Sequence, residues 1–221
     1  MPIRHNLLLA ILRELLDDPS AIMYEYRFMF VFLYHCVGRS NKLHATNFEL
    51  MWFCSTLGAM WAKWNQGKVS LIDCCFELYF IVVSHIPYSF PKTGFSSPLP
   101  FFPDCENWEL CYFHALMCHL LMAGHRLKKE PVEESEDKTF VFPSMRGMTE
   151  KSVAGKINGL LKKMIPTIEE LMDAHTRHGM RGGATDDMLE NHFVPLIAAI
   201  CRGDWKLAGE CLSVLYVCLS V

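Results

Sequence analysis

The sequence predicts a mainly α-helical domain of α+β type that carries a small antiparallel β-hairpin sheet. Apolar residues recur at helical spacing in several separate stretches. Short apolar runs also flank an Asn65-Gln66-Gly67-Lys68 turn, the pattern of a hairpin. Finally, hydrophobic residues make up 51% of the 221 positions and charged residues 20%, which supports a buried core and excludes wholesale disorder. The length suits one domain spanning 1–221.

The elements follow in order. Residues 6–17 place Leu7, Leu8, Ile11, Leu12 and Leu15 at helical spacing, and Asp17-Asp18-Pro19 ends the run. Residues 21–37 form a second, more apolar helix closing at Gly38, a residue suited to the left-handed position after a helix. Residues 41–50 read as a short helix or as loop. Residues 57–72 hold the hairpin, with its turn at Asn65–Lys68. Residues 76–83 (FELYFIVV) fit a strand or a helix, since periodicity does not separate the two. Prolines 87, 91, 98, 100 and 103 make 87–103 a loop.

Residues 106–125 are helical and rich in aromatic and sulfur side chains. The charged stretch 126–138 (RLKKEPVEESEDK) reads as a solvated linker inside the domain. From Thr149 to Met164 an amphipathic helix gathers Val153, Ile157, Leu160, Leu161 and Met164 on one face, before Pro166. Shorter helices are expected near 180–191, 194–201 and 206–219.

Composition narrows the function classes. The net charge is −3, so overall charge points to no nucleic-acid partner, although a local basic surface remains open to the chain. Ten cysteines occur without a single C-x-x-C pair. No secretory signal is recognisable at the start, and the thiols read as reduced core residues of an intracellular protein. The longest apolar run, near 27–34, is too short for a membrane span of about 20 residues. His114 and His119, with Cys111 and Cys118, are core residues by spacing and not a metal set.

The segment carrying the most chemistry is 175–205. His178 and Arg181 share one face if a helix begins here. A guanidinium there is suited to gripping a phosphate through two parallel hydrogen bonds, and Gly182-Gly183 lets the backbone approach something closely. Arg202-Gly203-Asp204-Trp205 follows, and Tyr216 is the one tyrosine beyond Arg181. Upstream stand Gly38-Arg39 and the hairpin lysine, Lys68, with Lys92 its rival.

This arrangement, H-x-x-R-x-G-A-T followed by R-G-D-W, resembles the catalytic box of the tyrosine recombinases, the phage-integrase superfamily. It is most similar to the crypton-like domains of eukaryotic mobile elements, and the resemblance spans residues 6–219. It implies a helical catalytic domain with a small hairpin sheet. The implied activity is DNA cleavage and rejoining through a 3′-phosphotyrosyl intermediate, as in site-specific recombination or integration of a mobile element. The implied site is Arg39, Lys68, His178, Arg181, Trp205 and Tyr216, with no metal or other cofactor. The implied partner is double-stranded DNA, bound as a homo-oligomer in the nucleus, with no membrane.

The roles so implied agree with the chemistry. A tyrosine hydroxyl, with a free pKa of about 10, is a poor nucleophile. Its attack on a phosphodiester builds charge on two non-bridging oxygens, where Arg39 and Arg181 would supply fixed positive charge. Lys68 would protonate the leaving 5′ oxygen, His178 would assist proton transfer from Tyr216, and Trp205 would donate its indole N–H. Lys151, Lys156, Lys162 and Lys163 read as phosphate contacts along DNA or as one solvated helix face.

The chain departs from the family in Lys42, where an acid is usual after the first arginine, and in a Tyr216 that comes late. These departures suit a second reading, a catalytically inactive DNA-binding protein derived from a recombinase domain. A helical protein-interaction module is a third.

Overall fold

The computed structural model describes residues 1–36, 43–44, 46–48, 51–54, 59–63, 98–101, 103–104, 106–123 and 140–190. Among these the fold is mainly helical, with five α-helices: α1 (His5–Leu16), α2 (Ala21–Cys36), α3 (Tyr112–Met122), α4 (Glu150–Met164) and α5 (Arg177–Glu190). No described helix is long and apolar enough to cross a membrane.

α2 is the central element. Its residues from Glu25 to Leu33 are buried on all sides, as expected of a helix with no polar face. It packs chiefly against α3, and also against α1 and α5. α1 contributes the stripe Leu8, Ile11, Leu12 and Leu15. The aromatic centre joins α2 to α3 where Phe28 meets Tyr112 edge-on with ring centroids 5.3 Å apart; Phe101 stacks on Tyr112 at 4.0 Å and Phe142 on Phe28 at 5.6 Å. His119 lies in the same cluster, stacked on Phe28, with its Nε2 2.8 Å from the carbonyl of Val141. Cys36, Cys111 and Cys118 are free thiols.

α4 forms where the periodicity predicts it. The Thr149 hydroxyl caps it by accepting from the Ser152 amide at 3.2 Å. Gly155 and Gly159 lie in this helix, and a Cβ built on either meets nothing within 4 Å. Neither packs closely enough to require glycine, so each costs helix stability without return. Gly155→Ala and Gly159→Ala are each expected to stabilise the protein by about 0.8–1 kcal/mol, read as a higher denaturant midpoint.

The described sheet has three strands in the order β1-β2-β3 (Met51–Cys54, Ala59–Lys63 and Pro98–Phe101), all antiparallel. It differs from the hairpin expected around Asn65–Lys68, a turn outside the described residues. Ala59–Lys63 pairs with β1 on one side and β3 on the other. Pro98–Phe101, expected as loop, is one of the two edge strands of the described sheet. Its prolines occupy alternate positions, so both missing N–H groups fall on the side facing away from β2.

Other boundaries move by a few residues. The helix expected over 106–125 is confined to α3, and a turn over 107–110 precedes it. There the Asp104 carboxylate accepts from the amides of Glu106 and Asn107 at 3.0 and 2.9 Å. In 41–50, Leu43 and His44 lie in a 3-10 turn and Asn47 bridges to Phe140. The linker 126–138, the segment 76–83, Gly38 and the helices expected beyond 191 lie outside the described residues.

Met1–Arg4 forms a strap along α5. The Met1 nitrogen donates to the carbonyl of Ala174 at 2.9 Å, and the Ile3 amide donates to that of Gly179 at 2.8 Å. Ile3 is fully buried. Arg4 pairs with Glu190 at 2.6 Å and with Asp186 at 3.7 Å. Asp187 then ties three helices together, accepting from the His5 amide at 2.8 Å and from the Tyr34 hydroxyl. The first residue of α1 would otherwise carry an orphan N–H, so a carboxylate from α5 serves as its cap.

Candidate functional site

The site expected from the sequence is represented among the described residues by the first turn and a half of α5. This helix begins at Arg177, three positions earlier than expected. It starts there because the Asn158 side chain on α4 accepts from the Arg177 amide at 2.9 Å. His178 and Arg181 therefore lie one turn apart on one face. His178 is exposed and Arg181 is half-buried. The Thr185 hydroxyl donates to the Arg181 carbonyl at 2.7 Å, which continues the same face by one more turn.

Electrostatics make this end of α5 attractive to anions. The positive end of the helix dipole coincides with Arg177, His178 and Arg181. Partial burial holds the pKa of His178 below its usual value, and the charges of Arg177 and then Arg181 lower it further. This shift favours the neutral form of the imidazole.

Two other histidines shift the same way. His175 is lowered by burial and then by the chain-terminal amino group, and His114 by burial and then by Arg27. All three bind protons more weakly folded than unfolded, so the unfolded chain holds more protons below the free histidine pKa of about 6.5. Their stabilising contribution is complete above that value and falls as pH drops through it toward the folded pKa values. Denaturant midpoints measured at intervals from pH 7.5 to 5 are expected to decline across that window.

Gly183, the second glycine of the doublet, has a structural occupant. A Cβ on Gly183 would lie 1.8 Å from the Ile3 carbonyl oxygen, and one on Gly179 would lie 2.3 Å from that of Met1. The close approach that these glycines allow is taken by the chain's own strap. Gly179 and Gly183 stand one turn apart on a single face, so of the Gly182-Gly183 doublet singled out in the sequence only Gly183 takes part in the close contact.

The lysines of α4 divide. Lys151, Lys162 and Lys163 are exposed, and Lys162 makes only a loose pair with Asp173 at 3.8 Å, both groups well solvated. Lys156 is half-buried and engaged within the fold. Its Nζ donates to the Ser144 carbonyl at 2.8 Å and lies 5.4 Å from the Tyr26 ring centroid. Arg39, Lys68, Lys92, Trp205 and Tyr216 lie outside the described residues, so the structure brings together His178 and Arg181 of the expected set. Arg177 and Asn158 were not singled out by the sequence. An asparagine nineteen residues before a helix start gives no local sign that it caps that helix.

Among the described residues, no group of three or more His, Cys, Asp or Glu side chains is placed to hold a metal ion. The chain matches no protein-family model, no curated protein and no solved structure in the three comparisons made.

Proposed function

We propose that the chain is a DNA strand transferase of tyrosine-recombinase type, acting on double-stranded DNA through a 3′-phosphotyrosyl intermediate. The observation that carries this reading is the placing of an exposed His178 and Arg181 on one face at the positive end of α5. The box H-x-x-R-x-G-A-T and the downstream R-G-D-W supply the rest by resemblance.

In this scheme Tyr216 loses its proton toward His178 and attacks phosphorus. Arg181 and Arg39 balance the charge that builds on the non-bridging oxygens. Lys68 protonates the departing 5′ oxygen, and Trp205 donates its indole N–H. The phosphotyrosyl bond keeps the energy of the broken phosphodiester, so a second DNA 5′ hydroxyl can reverse the step without metal or cofactor. The exposed Lys151, Lys162 and Lys163 supply the duplex contacts, and two or more copies assemble on DNA.

The occupied glycine face favours the inactive DNA-binding alternative, because Gly183 of the expected box is committed to packing against the chain's own strap. One experiment separates the readings. The full chain is mixed with a nicked duplex that traps the cleaved strand, and run on a denaturing gel beside a binding titration at several salt concentrations. A strand transferase yields a denaturant-resistant adduct. An inactive relative yields none, yet its affinity falls with salt by a log–log slope of about −0.9 per phosphate neutralised. Absence of DNA binding at low salt overturns both readings.

A further inference from the structure

The strap Met1–Arg4 is fastened at two ends of different chemistry. At one end Arg4 pairs with Glu190 and Asp186, and Asp187 holds the His5 amide that follows. At the other end the anchors are carbonyls. Ala174 receives the Met1 nitrogen at 2.9 Å, and Gly179 receives the Ile3 amide at 2.8 Å. Ala174 lies in a turn, 172–175, that the buried side chain of His175 closes. Nδ1 of His175 accepts from the Met172 amide at 2.9 Å, and the His175 amide donates back to the Met172 carbonyl at 2.9 Å. The Gly179 amide donates to the Thr176 carbonyl at 2.7 Å, which joins this turn to the start of α5.

An Nδ1 that accepts carries no hydrogen, so the proton of the neutral ring sits on Nε2. A second proton has Nδ1 as its only seat, and there it sets one N–H against another. The protonated ring therefore loses the bond that closes the turn, and a buried donor and a buried cation are left without acceptors. The ionisable groups about the ring come from three elements. They are the Met1 amino group on the strap, Asp173 of the same turn, loosely paired with Lys162 of α4, and Arg177 and His178 at the start of α5. Among the described residues the Met1 amino group acts on His175, and it opposes a second positive charge.

We propose that His175 is a pH-sensitive latch on the strap: protonation of its ring opens the turn 172–175 and lifts Met1–Ile3 from the glycine face of α5. Carboxylates and guanidinium groups as classes keep their charge where an imidazole titrates, so Arg4 stays paired and the opening is local to the first three residues. The face so uncovered is the one that Gly179 and Gly183 leave open to close approach, beside His178. This inference does not depend on the DNA reading.

The test follows backbone amide exchange of the full chain by NMR from about pH 7.5 to about pH 5, each rate being divided by its intrinsic rate at that pH. The Val31 amide, in the centre of α2, reports opening of the whole fold. The Ile3 and Met172 amides are expected to lose about fivefold more protection than Val31 as pH falls, the effect of one lost hydrogen bond on the open population. His175→Asn keeps an acceptor for the Met172 amide and takes up no proton, so the extra loss is expected to vanish in that variant. In the unaltered chain, the titration of the His175 ring, read from its own shifts, is expected to share its midpoint with the loss at Ile3. Ile3 and Met172 amides that keep pace with Val31 overturn the proposal. So do two separate midpoints, or an extra loss that persists undiminished in His175→Asn.

Discussion

Gly183→Ala is expected to destabilise the fold by about 3 kcal/mol, the largest effect of any single methyl group added to α5. The new Cβ would stand 1.8 Å from the Ile3 carbonyl oxygen, 2.2 Å from its carbon and 2.8 Å from the Arg4 nitrogen. These are backbone atoms with no rotamer to adopt, so the strap must leave. Its departure exposes Ile3, worth about 1.5–3 kcal/mol of burial, and breaks the Ile3–Gly179 hydrogen bond, worth about 1 kcal/mol. The gain of about 0.8–1 kcal/mol in helix propensity offsets only part of that. Gly182→Ala is the control. Its Cβ would meet Pro2 at an ordinary 3.7 Å, so the propensity gain should survive and the variant should equal or exceed wild type. Thermal melts of the two variants side by side check the point. Equal melting temperatures would remove the strap from the account of α5.

Tyr216→Phe is expected to abolish covalent DNA attachment while leaving affinity close to wild type. Phenylalanine keeps the ring and removes only the oxygen that would attack phosphorus. Arg181→Ala is expected to lower both quantities, because a guanidinium that clamps phosphate contributes to binding and to the transition state. Loss of one such charge costs about 100- to 1,000-fold in rate. The split is read by running adduct formation and salt-dependent binding on both variants. An adduct that persists in Tyr216→Phe disproves the nucleophile assignment, since no other tyrosine follows the box.

The helices with a strong period were legible in the sequence. α1 and α4 bury the residues that 3.6-residue spacing selects, because burial against one neighbouring layer is what that spacing records. The strands were less legible. Ala59–Lys63 read as strand, but the turn signal paired it with 69–72, whereas its described partners are 51–54, four residues upstream, and 98–101, whose pairing across a long separation leaves little trace in either segment. The prolines at 98 and 100 pointed to loop because local propensity does not know which side of a strand will face open solvent.

The candidate site divides in the same way. The order of residue types in 178–185, and with it the placing of His178 and Arg181 on one helix face, is a property of the sequence alone, because a helix converts spacing directly into direction. Only the tertiary structure decided what each neighbour of that pair does. Gly179 and Gly183 receive Met1 and Ile3 from the far end of the chain, and Lys156 is drawn inward by Ser144 and Tyr26. Asn158 sets where α5 begins. Each of these outcomes depends on a partner distant in sequence. The local pattern states that a glycine permits close approach or that a lysine carries charge, and the packed fold determines which group arrives there.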